Sequence, residues 1–204
     1  MTAAADHFSR VADGYSGLRG RWPLSVLRAR EQAAVRRLMP VAVGERVLDA
    51  GCGDGEILAW LCSRRARPVG IDVVPAMAQR ARRCGAPVAV QDFAALGVRP
   101  VFDWALCIGA IEFAGDPVRV LRELGAALRA GGRVGLLFPR RSALARVYAA
   151  YHRRHGVAIR LFSHAEMNEL LGAAGLVVEP PWLDCLLSTV CVARRASGTG
   201  HGAG

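Results

Sequence analysis

The distribution of apolar residues divides most of the chain into short strand patterns and longer helical patterns. Apolar runs that suit buried strands fall at seven places: 46–50, 68–72, 87–91, 102–107, 133–138, 176–179 and 187–193. Between them, apolar residues recur three and four positions apart, which is the spacing of one helical face. Strands that alternate with helices are typical of an α/β fold with a mainly parallel sheet. We therefore expect a single α/β domain with a seven-stranded, mainly parallel sheet and helices on both faces.

One helix has clear boundary residues at both ends. Asp116 followed by Pro117 predicts its start, because aspartate caps free backbone N–H groups and proline fits the first helical turn. Apolar residues continue along one face to Leu128. Gly131 or Gly132 is then expected to end the helix in the left-handed conformation.

A second helix start is a capping box formed by Ser163 and Glu166. The apolar stretch that follows ends at Gly175, which predicts the end of that helix. Two earlier helices are expected, one over 23–39 before the first strand and one over 57–66 after it.

The composition limits the functions that the chain can have. Its 204 residues suit one domain, and 27 basic against 17 acidic residues give a net charge of +10. All basic residues are arginine, which excludes a lysine Schiff base, a lysine general base and a P-loop. The charge suggests a nucleic-acid or acidic-membrane partner, but genome composition explains the heavy use of arginine, alanine and glycine equally well.

The cysteines and the N-terminus indicate the compartment. Neither a CxxC pair nor a Cys/His cluster at zinc spacing occurs, so no metal site is expected among Cys52, Cys62, Cys84, Cys107, Cys185 and Cys191. The first residues lack an apolar signal segment, and the sequence has no run of 18 uncharged apolar residues. The sequence therefore predicts a cytoplasmic protein with free thiols.

The strongest chemical feature is the segment VLDAGCGDGE at residues 47–56. A buried strand leads there into a turn with Gly51, Gly53 and Gly55, and a helix follows. Glycines permit a sharp turn and let a ligand approach the backbone, so this pattern indicates a nucleotide-type site. A glycine-rich loop that binds no ligand is the alternative.

Acidic residues refine that interpretation. Asp72 ends the next strand, 17 residues after the last glycine, where a carboxylate can accept both hydroxyls of a ribose. An exposed cap before Pro75 is the alternative for this residue. A dinucleotide fingerprint would need glycine or alanine where the chain has Glu56. Asp49 would repel a pyrophosphate, whereas it suits a cationic ligand.

These segments resemble, in order, the motifs of class I S-adenosylmethionine-dependent methyltransferases of the small-molecule branch. VLDAGCGDG resembles the first motif, GID at 70–72 the second, and VQDF at 90–93 the segment after strand three. FDWALCIGAIEF, DPVRVLREL and LRAGGRVGLLFP resemble strand four, the helix after it and strand five. The resemblance covers about residues 8–195. It implies a Rossmann-like fold and the cofactor S-adenosyl-L-methionine.

The resemblance also implies a role for each matching residue. Asp49 suits the cationic amino-acid end of the cofactor, Asp72 its ribose, and Asp92 the amino group of its adenine. Asp92 has a loop or cap role as its alternative, and the apolar residues near the adenine and sulfonium could equally belong to the core. The complete set of expected cofactor-binding residues is Asp49, Gly51, Gly53, Asp72, Val73, Asp92, Phe93, Ile108 and Tyr15.

The leader at residues 7–22 resembles the N-terminal cap that closes over the cofactor in this branch, and Tyr15 and Arg19 are its residues to test. An exposed, mobile leader is the alternative. The expected organisation is a cap at 1–21, a methyltransferase domain at 22–196 and a disordered tail at 197–204.

The segment after strand four restricts the methyl acceptor. It reads Cys107, Ile108, Gly109 and Ala110, where methyltransferases of nucleic-acid amines often have an Asn/Asp/Ser-Pro-Pro-aromatic motif. Its first acid is Glu112, too late for the magnesium ligand of catechol-type members. Many quinone O-methyltransferases have Glu-His where this chain has Glu-Phe, which puts O-methylation assisted by that histidine in doubt.

Residues 140–162 are expected to form a substrate lid. Apolar and aromatic residues there follow one helical face, while arginines project elsewhere. The same face could instead pack on the domain, and the arginine-rich helix could lie on an anionic membrane. No catalytic residue is fixed by the sequence, and the candidates are His152, His155 and Tyr148.

The sequence thus predicts methyl transfer by in-line displacement to the O, N or C atom of a small metabolite, for which an aromatic or lipophilic compound is the expected class. Two alternatives stay open. One is a cofactor-binding partner protein without turnover, and the other is an RNA methyltransferase, which the motifs disfavour. Neither the acceptor atom nor the oligomeric state follows from the sequence.

Overall fold

The computed structural model describes residues 24–154 and 156–196. Within these ranges the helices are α1 Leu24–Leu38, α2 Glu56–Ser63, α3 Pro75–Ala81, α4 Pro117–Ala127, α5 Ala143–Arg154 and α6 His164–Ala173. The strands are β1 Arg46–Ala50, β2 Arg67–Asp72, β3 Val88–Val90, β4 Phe102–Ile108, β5 Leu128–Pro139, β6 Leu176–Asp184 and β7 Ser188–Arg195. Short 3₁₀ helices follow α3 and β4, at Arg82–Cys84 and Ile111–Phe113. All seven predicted strands are present, and the predicted cap and tail lie outside the described residues.

The strands form one sheet in the order β3-β2-β1-β4-β5-β7-β6. Neighbours from β3 to β5 are parallel, whereas β7 runs antiparallel between β5 and β6. The strand order reverses at β1. The chain adds β2 and β3 on one side of β1 and then returns to add β4 on the other side of β1. Ligands of open α/β sheets bind at the carboxyl ends of strands beside such a reversal. The topology therefore places a candidate site at the ends of β1, β2 and β4.

Helices cover both faces of the sheet, as the α/β prediction requires. Successive residues of β4 alternate between two cores, since side chains along a strand point to opposite faces. Ala105 joins the core beneath α4 and α6, while Trp104 joins the core beneath α1 and α2. Leu124 of α4 and Val35 of α1 are fully buried in these two cores. The single domain is thus built from three layers.

The start of α4 agrees with the prediction, but its end does not. The Asp116 carboxylate accepts a hydrogen bond from the backbone N–H of Arg119 at 3.0 Å. The expected end at Gly131 or Gly132 is wrong, because α4 ends at Ala127 and β5 begins at the next residue. The chain enters the sheet early and makes an irregularity there, with both glycines inside the strand. Apolar periodicity alone did not separate the last helical turn from the first strand residues.

The cap of α6 uses half of the predicted capping box. The Ser163 hydroxyl accepts from the backbone N–H of Glu166 at 3.1 Å, and Gly175 follows the helix with φ 75°. The Glu166 carboxylate, however, pairs with Arg141 at 2.7 Å and with Arg160 at 2.9 Å. It therefore ties the segments on either side of α5 to the start of α6.

Candidate active site

The turn between β1 and α2 needs its glycines for two separate reasons. Gly51, Gly53 and Gly55 have φ angles of 79°, 55° and 88°, a region in which other residues are strained. A Cβ at Gly51 would lie 2.5 Å from the Cβ of Ala110, and one at Gly55 would lie 2.7 Å from the Cα of Ala81. The turn is consequently packed tightly against the ends of β4 and α3, while the space around Gly53 stays open.

Asp72, at the end of β2, is buried and holds this turn in place. Its two carboxylate oxygens accept hydrogen bonds at 2.8 Å, one from the backbone N–H of Gly53 and the other from that of Val74. Burial raises the pKa of the carboxyl, and the two hydrogen bonds oppose that shift. Sequence reasoning anticipated the position of this acid but not its bond to the turn. Each oxygen keeps a further lone pair for a ligand hydroxyl.

Asp49 is the most unusual group of the site. Its side chain is 1% exposed, and its Oδ2 atom has no hydrogen-bond partner in the described parts of the chain. Burial, helped by repulsion from Asp72, raises the pKa of this carboxyl from 3.8 to about 7. A buried charge without a partner is costly, whereas a cation placed beside it would remove that cost. The carboxyl lines a cavity together with Gly51 and Gly53 and is therefore suited to a cationic group.

The roof of this cavity comes from α1, which sequence reasoning had not linked to the site. Arg28, Glu31, Gln32 and Val35 line it from above, at the spacing of one helical face. Arg28 and Gln32 both bind the carboxylate of Glu56, the first residue of α2. The sequence signal for this role is the presence of polar residues on the side of α1 that faces the core.

A second contact fastens α1 to the far side of the sheet. The hydroxyl of Ser188, at the start of β7, donates a hydrogen bond to the carboxylate of Glu31 at 2.6 Å. α1 is thus tied to both α2 and β7, and the cavity beneath it measures about 90 Å³.

The predicted adenine-side residues share the carboxyl edge of the sheet but differ in their surroundings. Ile108 lines the cavity, and the ring of half-buried Phe93 lies close to Gly51, 3.6 Å from where a Cβ would be. Val73 is 42% exposed beside Asp72. The carboxylate of exposed Asp92 accepts from the backbone N–H of Ala94 at 2.8 Å, which is the cap role kept as its alternative.

The residues after β4 connect the site to the predicted lid. Gly109 turns the chain with φ 69°, and Glu112 lies in the 3₁₀ helix that follows. The backbone carbonyl of Glu112 accepts a hydrogen bond from the N–H of Arg160 at 3.3 Å. The segment after α5 thus lies directly against the end of β4. Burial and the nearby acids raise the pKa of Cys107, which keeps this thiol protonated.

The catalytic candidates are not gathered at the cavity. Tyr148 and His152 lie on α5 with ring centroids 4.4 Å apart, and the described cavity lining includes no residue of that helix. His155 and the cofactor candidate Tyr15 lie outside the described residues, as does Arg19. The geometry assigns no general base.

The apolar face of α5 faces outward. Leu144, Val147 and Tyr151 are 46%, 66% and 55% exposed, while Ala145 on the other side of the helix is buried. The alternative that this face packs on the domain is therefore wrong for these three residues. The helix is too short and too polar to cross a membrane, as is every other helix in the described ranges.

The acids of the site do not form a metal centre in the described structure. Nowhere in residues 24–154 and 156–196 do three His, Cys, Asp or Glu side chains come close enough together to hold an ion. Asp49 and Asp72 are instead arranged around backbone N–H groups and open space.

Comparisons with known proteins agree with this geometry. A family model described as "Methyltransferase domain" matches residues 48–136. A ubiquinone biosynthesis O-methyltransferase of Xanthomonas oryzae pv. oryzae is 30% identical over 150 residues, which are 66% of this chain and 62% of the relative. The corresponding enzyme of Xanthomonas axonopodis pv. citri is 30% identical over 141 residues, 61% of this chain and 58% of the relative. The chain thus spans about three fifths of these curated relatives.

Solved structures share the fold. Magnesium protoporphyrin IX methyltransferase of Synechocystis PCC 6803 with bound SAH has a TM-score of 0.77 at 19% identity, covering 95% of this chain and 98% of that one. The 1,6-didemethyltoxoflavin-N1-methyltransferase of Burkholderia thailandensis has a TM-score of 0.72 at 22% identity, covering 96% and 89%. At these identities the likeness concerns the fold alone.

Proposed function

We propose that the chain is a class I S-adenosylmethionine-dependent methyltransferase that methylates a small aromatic or lipophilic metabolite. The observation that carries this proposal is the buried carboxyl of Asp49, which lines the cavity and whose Oδ2 atom has no hydrogen-bond partner among the described residues. The cofactor supplies an electrophilic methyl group on a sulfonium centre, and its amino-acid end carries an ammonium. A cationic ligand meets the requirement of Asp49, so the residues present fit this cofactor.

Each end of the cofactor has suitable partners. Asp49 and the carbonyl of Gly51 would take the ammonium, and Arg28, the cation in the described cavity lining, would take the carboxylate. Asp72 would accept the ribose hydroxyls through its remaining lone pairs. The remaining proposed contacts, from the adenine side and from the leader, are Gly53, Val73, Asp92, Phe93, Ile108 and Tyr15.

The chain contributes to the reaction mainly by alignment and by exclusion of water. A displacement at a sulfonium needs the nucleophile about 3–3.5 Å from the methyl carbon, and the leaving group needs no acid. The contacts of Arg28 and Gln32 with Glu56 would hold α1 over the site. The helix would then keep water away from the reacting atoms. Proton removal from the acceptor stays open among Tyr148, His152 and His155, and the acceptor atom is O, N or C.

The acceptor class is inferred from two sources. The curated relatives are named for ubiquinone biosynthesis, which supports an aromatic, lipophilic acceptor for this chain. Many quinone O-methyltransferases have a histidine after the glutamate that corresponds to Glu112, whereas this chain has Phe113, so a base at that position is not part of the proposal. We place the reaction in the cytoplasm, where the six free thiols of the chain would persist.

Peripheral contact with an anionic lipid surface fits the same acceptor class. The exposed residues Leu144, Val147 and Tyr151 form an apolar stripe on α5. Residues 140–160 contain six arginines and no acid, and Arg153 and Arg154 are exposed beside the stripe. Basic residues near an anionic surface contribute about 1 kcal/mol each, and apolar side chains add burial in the acyl boundary. Residues 140–162 are the proposed lid. The side of the lid that carries the apolar stripe would face the membrane.

Vesicle co-sedimentation tests this contact. Binding to vesicles with phosphatidylglycerol should exceed binding to neutral vesicles and fall with salt. A Leu144→Ser, Val147→Ser variant should bind more weakly than a Val43→Ser control, which removes an exposed valine elsewhere. Equal vesicle binding by the two variants would refute the contact. Binding of the wild type to RNA without binding to vesicles would refute it as well.

Calorimetry with S-adenosylhomocysteine tests the proposed function itself. Wild-type protein should bind, and Asp49→Asn should bind about 10- to 100-fold more weakly at pH 7.5, because a hydrogen bond to a charged group is lost. Glu169→Gln, an exposed carboxylate on α6, is the matched control and should bind normally. Absence of binding to the wild type at millimolar ligand would refute the function. Release of S-adenosylhomocysteine from S-adenosylmethionine with a panel of acceptors separates an enzyme from a binding protein.

A further inference from the structure

Three cysteines that are separate in the sequence meet behind the glycine turn. Cys52 lies in the turn, Cys62 in the last turn of α2, and Cys84 at the end of the 3₁₀ helix after α3. Their side chains share one apolar cluster with Leu58 and Ala81. Within this cluster Cys62 and Cys84 are close enough that Cys84, after burial, raises the pKa of the Cys62 thiol. The fold thus brings together two thiols that lie 22 positions apart in the sequence.

Cys62 and Cys84 are more accessible than the three buried cysteines. Both are half-buried, as one other cysteine is, and Cys84 lines a cavity of about 650 Å³ between α1, α2 and the end of α3. Cys52, Cys107 and Cys191 are buried, and burial raises the pKa of each of these thiols as well as that of Cys62. A small oxidant entering the cavity therefore reaches Cys84 first, with Cys62 next to it.

We propose that Cys62 and Cys84 are a redox modification site at which a peroxide forms a reversible disulfide. The peroxide oxidises one thiol to a sulfenic acid and leaves as water or an alcohol. The second thiol then attacks the sulfenic sulfur, an S–S bond forms, and hydroxide leaves with the remaining thiol proton as water. Two thiols and one peroxide thus give one disulfide, and a dithiol reverses the step by exchange.

The structure also indicates how this bond would act on the neighbouring site. The two sulfurs must approach to about 2.05 Å, which draws the 3₁₀ helix and α2 together. Ala81 immediately precedes that 3₁₀ helix, and its Cα lies 2.7 Å from the position of a Cβ on Gly55. Because nothing separates these backbones, a shift of the 3₁₀ helix moves the glycine turn. Oxidation should then weaken cofactor binding, and this second part rests on the proposed function.

Peptide mapping tests the disulfide without reference to activity. Reduced full-length protein is treated with hydrogen peroxide, blocked with iodoacetamide, digested and analysed without reductant. The expected product is an intramolecular Cys62–Cys84 link that dithiothreitol removes. It should be absent from Cys62→Ser and Cys62→Ala and retained in Cys185→Ser, which removes a half-buried thiol elsewhere. Absence of the link, pairing through Cys52, or direct overoxidation of Cys84 would overturn the proposal.

Calorimetry with S-adenosylhomocysteine then tests the coupling to the turn. Oxidised wild type should bind at least fivefold more weakly than reduced wild type, and dithiothreitol should restore the affinity. Oxidant-treated Cys62→Ser should bind as the reduced protein does. An unchanged affinity in the linked protein would overturn the coupling. Failure of the reduced protein to bind would overturn the proposed function, while the peptide map would still decide the modification site.

Discussion

Replacing Asp49 by asparagine should remove a pH-dependent penalty from the stability of the ligand-free protein. Burial raises the pKa of this carboxyl from 3.8 to about 7 in the folded state. The folded protein therefore binds more protons than the unfolded chain between these values. The contribution of this carboxyl to the free energy of unfolding is therefore fully present below about pH 4, where the group is protonated in both states. It is lost as the pH rises towards 7. At 1.36 kcal/mol per pKa unit, the loss is at most about 4 kcal/mol.

Urea unfolding of the two proteins from pH 4 to pH 8 measures this effect. The variant should match the wild type near pH 4, because asparagine has nearly the shape of a protonated aspartic acid. It should become progressively more stable than the wild type up to pH 7, by as much as about 4 kcal/mol. Glu169→Gln, which removes an exposed carboxylate on α6, is the matched control. A difference between Asp49→Asn and the wild type that does not change with pH would refute the reasoning.

Ligand binding should show the opposite pH dependence. A cationic ligand favours the ionised carboxylate, so its affinity for the wild type should rise as the pH approaches 7, by up to about tenfold per unit. Asp49→Asn should lack this dependence. Calorimetry with S-adenosylhomocysteine between pH 5.5 and 7 is the measurement, and parallel curves for the two proteins would contradict a role of Asp49 in binding.

Three further substitutions test the packing around the site by urea unfolding. Gly55→Ala should cost roughly 2 kcal/mol or more, because its Cβ would collide with Ala81 at a φ of 88°. Ser163→Ala should cost about 1 kcal/mol through the lost cap of α6. Leu124→Ala should cost about 2–5 kcal/mol in the core, whereas Val43→Ala, at a 73% exposed position, should stay within about 0.5 kcal/mol. A large cost at Val43 or none at Leu124 would contradict the assignment of the core.

The parts of the site that were predictable from the sequence are those that depend on local order along the chain. Asp49 and Asp72 end consecutive parallel strands, and a strand end followed by a helix fixes their edge of the sheet. The glycine turn follows from its own residues. The hydrogen bond from Gly53 to Asp72 could not be predicted in this way, because it depends on the registry between β1 and β2 and on the exact path of the turn.

The roof of the cavity and the thiol pair depend on packing between distant elements. Arg28 and Glu56 meet only because α1 docks over the start of α2, and no local pattern gives the direction of that docking. Cys62 and Cys84 likewise meet because α3 and its 3₁₀ helix fold back beside α2. The end of α4 was missed for a different reason, since Leu128 continues the helical apolar spacing although it is already the first residue of β5.

Two helices depart from the usual arrangement of polar residues outside and apolar residues inside, namely α1 above the cavity and α5 in the proposed lid. α1 directs Arg28, Glu31 and Gln32 towards the sheet, while α5 directs Leu144 and Val147 away from it. Such departures cost stability or solubility, so they persist where function requires them. On α1 the polar side chains face Asp49 and can meet a charged ligand. On α5 the apolar side chains beside exposed arginines can meet a lipophilic, anionic surface, which agrees with the lipophilic acceptor that we propose.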